Sequence, residues 1–265
     1  MKRSTDKGGI AVEEVKINFM KRPKLKDAVL IEGLPGVGNV GKLAAEHLAE
    51  ELKMTKFAEI YSKYLPPQVV VGEDGIVSLV KHDLFYLKGK GGIPDIVLLT
   101  GDYQGLTPEG QYELSSRTVD LVAELGVTLI FTLGGYGVIK LVEEPGVLGA
   151  VTSKELIPRL VELGVEFKRG EPSSGIIGAS GLILGLGQLK GIPGICLMGE
   201  TSGYFVDPRS ARSVLKVLSS YLGFQVDLSM LEKKATQIDE ITSKIRENLE
   251  ESEPSDNRDD LRYFG

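Results

Sequence analysis

The chain has 265 residues, of which 42% are hydrophobic and 26% are charged, and this composition excludes intrinsic disorder over most of its length. The 37 acidic residues outnumber the 31 basic ones, and the resulting net charge of −6 argues against a general nucleic-acid binder. A single cysteine, Cys196, excludes a disulfide framework, and two histidines, His47 and His82, are too few for a histidine-rich metal site.

The N-terminal residues Met1–Gly9 are mostly polar and no apolar run follows them, so we expect a disordered segment that is not a signal peptide. The longest apolar stretches, such as Val127–Leu133, are far shorter than the roughly 20 residues that span a bilayer. We therefore expect a cytoplasmic protein without a membrane partner.

Nearly continuous apolar segments alternate with amphipathic helical stretches over residues 28 to 224. Such segments are typical of strands that are buried on both faces of a parallel sheet. They are Ala28–Glu32, Ile96–Thr100, Val127–Leu133 and Gly194–Met198. The alternation predicts an α/β core over residues 10–227, with a mostly parallel, doubly wound sheet and helices on both faces.

The helices between these strands have recognisable ends. Thr107-Pro108 and Asp207-Pro208 each combine an N-cap residue with proline at the first helical position. Three helices are predicted to end at a leucine–glycine pair, because glycine readily adopts the left-handed conformation that closes a helix. These pairs are Leu125-Gly126, Leu163-Gly164 and Leu222-Gly223.

Two segments interrupt the alternation of strands and helices. Gln68–Leu87 contains short apolar runs on either side of a Gly72–Gly75 turn, which predicts an antiparallel β-meander at the edge of the sheet. Residues 228–250 predict an amphipathic C-terminal helix, whose single apolar stripe has helical spacing. The stripe fits either a helix that packs on its own domain or one that projects outward and pairs with other copies.

The last residues, 251–265, predict a flexible acidic tether that ends in an aromatic docking tail. Glu250–Asp260 is acidic and interrupted by proline, and it contains too little apolar surface to fold. Large apolar side chains at the end of such a tether indicate a binding partner, and packing of the tail on the parent domain or on a subunit is the alternative. The tail residues are Leu261, Tyr263, Phe264 and Gly265.

A glycine-rich loop, Gly33–Lys42, follows the first buried strand and precedes the predicted helix Leu43–Leu52. The spacing of Gly36, Gly38 and Gly41 matches a dinucleotide fingerprint, and the spacing from Gly36 to Lys42 matches a phosphate loop up to its last residue. Both patterns place the loop between a strand and a helix, as this sequence does.

Each of these patterns fails at the residue that performs the chemistry. Leu43 stands where a phosphate loop needs Ser or Thr to hold Mg²⁺. Glu59 has the spacing of the acid in a dinucleotide site, but it lies inside an apolar run and not clearly at its end. We favour the interpretation that these glycines let the helix start close to the sheet, and keep a nucleotide- or ligand-binding enzyme or sensor as the alternative.

Other enzyme signatures are incomplete. Gly178–Leu182 resembles a nucleophile elbow around Ser180 but lacks the final glycine, and no histidine stands near it in the sequence. Polar residues after the predicted strands would line the carboxyl edge of the sheet, together with the glycine loop, and form a candidate ligand crevice. Its residues are Gly36, Gly38, Gly41, Lys42, Asp102, Gly134 and Glu200. We expect no catalytic centre, no metal and no cofactor.

Five motifs taken together resemble the archaeal proteasome-assembly-chaperone homologues of the PbaA/PbaB type, in the superfamily of the second eukaryotic assembly chaperone. They cover most of residues 28–230, and their combined order is more specific than any one of them. The motifs are Gly33–Gly41, Leu65–Pro67, Leu99–Gln104, Thr132–Tyr136, and Gly175–Leu184 followed by Leu197–Thr201.

The resemblance implies a phosphorylase/hydrolase-like α/β fold and a homo-oligomeric binding protein without a known catalytic centre. Its partner would be the α subunits of the proteasome core particle, which family members engage through their C-terminal tails. Some family members also act as activators that open the gate of the α-ring. The resemblance leaves both an assembly chaperone and an ATP-independent activator open for this chain.

The tail departs from the pattern of the activators that it resembles. These end in a hydrophobic residue, Tyr and any residue, with the terminal carboxylate paired to a Lys between α subunits. Here Tyr263 takes the hydrophobic place and Phe264 the aromatic place. Phe lacks the tyrosine hydroxyl, and a lost hydrogen bond costs roughly 0.5–1.5 kcal/mol, so we expect weaker docking for each tail.

Overall fold

A computed structural model describes residues 14–138, 142–167 and 175–238. Within these residues there are ten strands: β1 Val15–Phe19, β2 Ala28–Glu32, β3 Thr55–Ser62, β4 Val69–Val71, β5 Val77–Leu79, β6 His82–Leu87, β7 Ile96–Gly101, β8 Val127–Gly137, β9 Val147–Val151 and β10 Gly194–Thr201. The α-helices bounded within them are α1 Val40–Glu51, α2 Pro108–Glu124, α3 Ile157–Glu162, α4 Ala179–Leu189 and α5 Pro208–Leu222.

Eight strands form one sheet in the order β1-β3-β6-β7-β2-β8-β10-β9. The four central strands β7, β2, β8 and β10 are parallel to their neighbours in this group, while β1, β3 and β6 on one side and β9 on the other are antiparallel. Every residue of β2 and β7 is buried, as the apolar runs predicted. The predicted α/β fold built on a parallel sheet is confirmed, with antiparallel strands added on both flanks.

Helices cover both faces of the central strands. One hydrophobic cluster joins alternate residues of the sheet to α1 and α5, and the other joins the remaining alternate residues to α2 and α4. Neighbouring residues of β2 show the division, because Leu30 belongs to the cluster with α2 and α4 while Ile31 belongs to the cluster with α1 and α5.

The predicted helix ends are found in the structure. The side chains of Thr107 and Asp207 accept hydrogen bonds from the backbone N–H groups of Gly110 and Ser210, and so cap α2 and α5. Glycine at the end of α5, Gly223, has a φ of 76°, in the left-handed region. Gly126 and Gly164, after α2 and α3, also have positive φ.

The predicted edge meander needs a correction. Its antiparallel hairpin exists as β4 and β5, but these two strands pair only with each other and form a separate two-stranded sheet. The third strand, β6, lies inside the main sheet between β3 and β7. All six residues of β4 and β5 are exposed, whereas β6 has buried side chains such as Leu84 that hold it within the core. The local sequence pattern predicts the hairpin, but it does not predict the order of the strands in the sheet.

The described part of the C-terminal helix, residues 229–238, packs on the core domain. Leu231 and Ala235 are the first two residues of the predicted apolar stripe, and both are buried. Leu231 belongs to the hydrophobic cluster that includes α5. The rest of the helix predicted over 228–250, the predicted N-terminal segment 1–9 and the tail lie outside the described residues, so the division into these segments stays a prediction.

Candidate functional site

The loops that follow the four parallel strands meet at one edge of the sheet and form the candidate site. Open α/β sheets bind their ligands at this carboxyl edge. The glycine loop follows β2 there, Asp102 follows β7, and Gly134 and Glu200 lie towards the ends of β8 and β10. All the residues of the predicted crevice therefore lie along this edge or in the first turn of α1.

The glycine loop is packed directly against the sheet. A Cβ atom at Gly41 would lie 2.1 Å from the carbonyl oxygen of Leu133 on β8, and one at Gly33 would lie 2.2 Å from the carbonyl oxygen of Gly41. These distances leave room only for hydrogen, so the sequence needs glycine at both positions. Gly38 has a φ of 61° and a Cβ there would meet Thr201. The close start of α1 on the sheet agrees with the favoured interpretation of this loop.

Gly36 and Lys42, the remaining residues of the two loop patterns, are not packed against the sheet in this way. Gly36 is extended, with a φ of −162°, and a Cβ added there would have no neighbour within 4 Å. The ammonium group of Lys42 lies 3.5 Å from the carboxylate of Glu46, one turn further along α1. The side chain of Lys42 thus pairs along the surface of its own helix, and ligand binding at this loop stays a prediction.

The two acidic residues of the predicted crevice are far apart. Asp102 follows β7 and Glu200 lies on β10, with β2 and β8 between them, which separates the strands by about 14 Å at ~4.8 Å per strand. Each carboxylate accepts a local backbone hydrogen bond, Asp102 from the N–H of Lys81 at 3.2 Å and Glu200 from the N–H of Gly146 at 3.3 Å. The two acids therefore order two separate loops, and a shared ligand crevice stays a prediction.

A buried carboxyl group that the sequence analysis missed lies at the centre of this edge. Glu32, the last residue of β2, is 0% exposed. Its Oε2 accepts a hydrogen bond from the hydroxyl of Ser180 at 2.9 Å, and its Oε1 accepts one from the N–H of Leu34 at 3.1 Å. Burial raises the pKa of Glu32 to about 7, and the two hydrogen bonds oppose this rise.

A second missed residue, Gln104, joins three loops beside Glu32. Its Oε1 accepts hydrogen bonds from the N–H of Ala179, at the start of α4, and from the side chain of Gln111 on α2, both at 3.0 Å. Its amide nitrogen donates to the carbonyl of Pro35 in the glycine loop at 2.6 Å. Glu32 and Gln104 together fix the N-terminus of α4 against the loops after β2 and β7.

This network explains the part of the sequence that resembles a nucleophile elbow. Ser180 lies in the first turn of α4 and its hydroxyl is held by the buried Glu32. The two histidines bond elsewhere: the ring Nε2 of His47 lies 2.6 Å from the carbonyl oxygen of Asp227, and that of His82 lies 2.7 Å from the carbonyl oxygen of Tyr103. The hydrogen bond to Glu32 gives Ser180 a role in holding α4 to the sheet.

Sequence signals for the network exist but are weak. Glu32 is a charged residue that closes an otherwise apolar strand, Ala28–Glu32, and a buried carboxyl group needs hydrogen-bond partners. Gln104 ends the motif Leu99–Gln104. Nothing local links either residue to Ser180, which is 148 residues from Glu32 along the chain.

Metal-binding clusters and membrane-spanning helices are both absent from the residues that the structure describes. In that part of the chain, His, Cys, Asp and Glu side chains form no group of three or more that could hold a metal ion. Likewise, none of the described helices combines the length and apolar character needed to cross a membrane. The predicted docking residues Leu261, Tyr263, Phe264 and Gly265 fall outside the described range, in the C-terminal part after residue 238.

Comparison with known proteins identifies the family. A model of the PAC2 family matches residues 30–246. The chain belongs to the PAC2 family. Another protein of similar sequence, an uncharacterized protein of Methanocaldococcus jannaschii, is 43% identical over 248 residues, which cover 91% of this chain and 93% of the relative.

Solved structures similar to this PAC2 protein include two from Pyrococcus furiosus. PbaB, described as an archaeal proteasome activator, has a TM-score of 0.84 and 40% identity over 88% of this chain and 99% of PbaB. PbaA, described as an archaeal homolog of proteasome-assembly chaperone, has a TM-score of 0.73 and 30% identity over 89% of this chain and 93% of PbaA. The resemblance inferred from the five motifs is confirmed.

The motifs of this PAC2 chain share one place in the fold. Gly33–Gly41 follows β2, Leu99–Gln104 spans the end of β7, and Thr132–Tyr136 and Leu197–Thr201 lie side by side as parallel strand ends. Leu65–Pro67 follows β3, whose end lies at the same edge because β3 is antiparallel to β6. The motif that contains Ser180 begins α4 there. The sequence features that mark the family therefore build the carboxyl edge of the sheet.

Proposed function

We propose that this chain is a non-enzymatic, homo-oligomeric protein that binds the proteasome core particle through its C-terminal tail. It acts as an assembly chaperone, as an ATP-independent activator, or as both. The tail docks into the α-ring, and no nucleic acid, membrane, metal or cofactor takes part. The proposal places the protein in the cytoplasm with the proteasome.

The similarity to PbaB is the single observation that carries this proposal. It extends over 99% of the PbaB chain and 88% of this chain at 40% identity, so the similarity is not confined to one shared motif. PbaB is described as an archaeal proteasome activator and PbaA as a homolog of proteasome-assembly chaperone.

The last three residues supply the proposed docking chemistry. In the activators that the tail resembles, the penultimate aromatic side chain fills a pocket between α subunits and the terminal carboxylate pairs with a Lys. Phe264 fills the same volume without the hydroxyl, so each tail binds more weakly by roughly 0.5–1.5 kcal/mol. Several tails on one oligomer offset this loss, since multivalent attachment strengthens binding by roughly 10²–10⁴ when the acidic tethers reach their pockets.

Point variants of the tail test the docking chemistry. We expect Phe264→Tyr to bind the core particle about 2- to 10-fold more tightly per tail, because it restores one hydrogen bond. Phe264→Ala should weaken binding by at least about tenfold, because it removes an aromatic side chain from a pocket. The measurement is the binding of each full-length variant to purified archaeal core particle by surface plasmon resonance.

Arg262→Ala is the matched control, because Arg262 is adjacent to the motif but is not one of its three residues. It should bind the core particle as the parent does. If Phe264→Ala and Arg262→Ala bind equally well, the aromatic tail is not the anchor and the docking proposal fails. If both variants lose binding to the same extent, recognition depends on the general composition of the tail and the proposed motif is wrong.

A further inference from the structure

Exposed apolar side chains are concentrated at the carboxyl edge of the sheet. Of the 20 large hydrophobic residues that are exposed in the described part of the chain, 14 lie on loops or strand ends at this edge. We call these 14 residues the edge patch. They are Val37, Val69, Val70, Val71, Ile76, Val77, Leu79, Tyr103, Leu106, Tyr136, Ile177, Tyr204, Phe205 and Val206.

The hairpin of β4 and β5 presents one entirely apolar face. Val69 pairs with Leu79 and Val71 with Val77, and because strand residues alternate between faces, these four side chains point to the same side. Their exposed fractions lie between 47% and 63%. A hairpin of two strands is at best marginally stable in water by itself, so an apolar face of this kind calls for a covering surface.

Contacts connect the hairpin to the rest of the patch. The side chain of Gln68, just before β4, donates to the hydroxyl of Tyr103 at 2.7 Å. At the other end of the edge, the backbone of Val37 packs against β8, because a Cβ atom added at Gly135 would lie 2.2 Å from the carbonyl oxygen of Val37. A Cβ at Gly203, next to Tyr204, would lie 3.0 Å from a methyl group of Val37. The patch therefore has two parts, the hairpin with Tyr103 and Val37 with the end of β10, and the hydrogen bond from Gln104 to Pro35 joins the two loops between them.

The patch is large enough for a stable protein interface. Val70, which pairs with Ser78, lies on the opposite face of the hairpin. The other 13 side chains are exposed by between 40% and 95%, so at roughly 150 Å² each they present on the order of 1,000 Å². The largest apolar patch on an ordinary monomer covers about 300–600 Å². A standard interface buries about 800 Å² on each partner.

We infer that the edge patch is the surface on which copies of this chain associate with one another. This inference rests on the proposed function, in which the chain is a homo-oligomer, and it names the contact surface. Permanent interfaces between identical chains are large and apolar, and an apolar surface of this kind does not need a partner of opposite charge. The hairpin's acidic residues, Glu73 and Asp74, are confined to its turn.

The chain's own tail is too small to be the occupant. Its tip offers three large apolar side chains, Leu261, Tyr263 and Phe264, against the 14 of the edge patch. A second copy, in contrast, brings a patch of equal area and equal chemistry. Symmetric oligomers commonly use such a self-complementary surface.

Charged substitutions on the apolar hairpin face test the inference. Val71→Asp and Val77→Asp change residues that are 63% and 61% exposed, so the monomer should fold normally. In an interface, each would bury an unpaired charge and weaken association by about 100-fold. Val161→Asp is the matched control, because Val161 is 54% exposed on α3, outside the patch.

The measurement is molar mass by size-exclusion chromatography with light scattering over a range of protein concentrations, with circular dichroism as a check of folding. We expect the parent and Val161→Asp to be oligomers of equal mass, and the two patch variants to approach the 28.7 kDa of one chain. The inference is overturned if the patch variants keep the parental mass, or if the parent is itself a monomer.

Two further outcomes separate the other occupants. A form that ends at Asp260 should keep the parental mass, and a gain in mass on removal of the tail would show that the tail covers the patch. Patch variants that keep their mass but lose core-particle binding would assign the patch to the proteasome and overturn the inference. A synthetic tail peptide should bind the core particle even if the protein proves to be a monomer. Binding of the peptide therefore tests tail docking separately from self-association.

Discussion

Replacement of the buried carboxyl group of Glu32 by an amide should change how the stability of the protein depends on pH. Glu32 is fully buried between Ser180 and Leu34, and burial raises its pKa from 4.5 to about 7. Between these two values the folded state binds a proton that the unfolded state has released. The stability that Glu32 contributes is therefore complete below pH 4.5 and is lost as the pH rises towards 7.

The expected magnitude follows from the size of the shift. A pKa change from 4.5 to about 7, at 1.36 kcal/mol for each pH unit, corresponds to about 3 kcal/mol in the free energy of unfolding. Glu32→Gln keeps the shape of the side chain, and its amide can accept from the N–H of Leu34 and donate to the hydroxyl of Ser180, but it cannot ionise. The variant should be about as stable as the parent at pH 4.5, and it should be more stable than the parent by about 3 kcal/mol at pH 8, because only the parent loses stability as the pH rises.

Urea unfolding at several pH values, at one protein concentration, measures this difference. Burial also lowers the pKa of His82, which gives the stability a pH dependence of opposite sign to that of Glu32. Both proteins contain His82, so its contribution cancels when the free energy of unfolding of the variant is compared with that of the parent. Glu59→Gln is the control, because ion pairs with lysines help lower the pKa of Glu59 to about 2 and Glu59 is therefore ionised throughout pH 6–8. The difference in the free energy of unfolding between parent and Glu59→Gln should not change from pH 6 to pH 8. A flat difference for Glu32→Gln over pH 4.5–8 would refute the reasoning.

Four other substitutions probe the same edge. Gly41→Ala should destabilise the fold by at least about 2 kcal/mol in urea unfolding. Gly36→Ala is its control, because Gly36 has open space around it, and it should cost less than about 1 kcal/mol. Equal losses of stability would contradict the close packing of the loop on β8. Thr107→Ala should cost about 1 kcal/mol through loss of the cap on α2, and an unchanged stability would show that the cap contributes nothing. Lys42→Ala removes only a surface ion pair with Glu46, so core-particle binding measured by surface plasmon resonance should equal that of the parent; loss of binding would indicate that the glycine loop takes part in recognition.

Signals that lie within one segment were sufficient to predict much of the fold. The strand Ala28–Glu32 has the bounds that its apolar run predicts, and Thr107 and Asp207 cap the helices that they were expected to cap. These features depend on residues within a few positions of each other, and so the sequence pattern reports them directly. The prediction that helices cover both faces also held, because strands that are apolar throughout require it.

The position of the hairpin and the site's central network could not be predicted in the same way. An exposed apolar hairpin such as Val69–Leu79 has the same short apolar runs around a turn as edge strands of the main sheet, and only tertiary pairing distinguishes the two. The contacts of Glu32 with Ser180 and of Gln104 with Ala179 join residues that are distant in sequence. Their geometry depends on the strand order, which no periodicity encodes.

The central claim is tested most directly by measuring how the full-length protein and a form ending at Asp260 bind the archaeal core particle. Peptide hydrolysis is read in the same titration. The account predicts that the full-length protein binds and that removal of Leu261–Gly265 abolishes binding, together with any stimulation of hydrolysis. Equal binding by the two forms would contradict docking through the tail, and binding by neither would contradict the proposed proteasome partner.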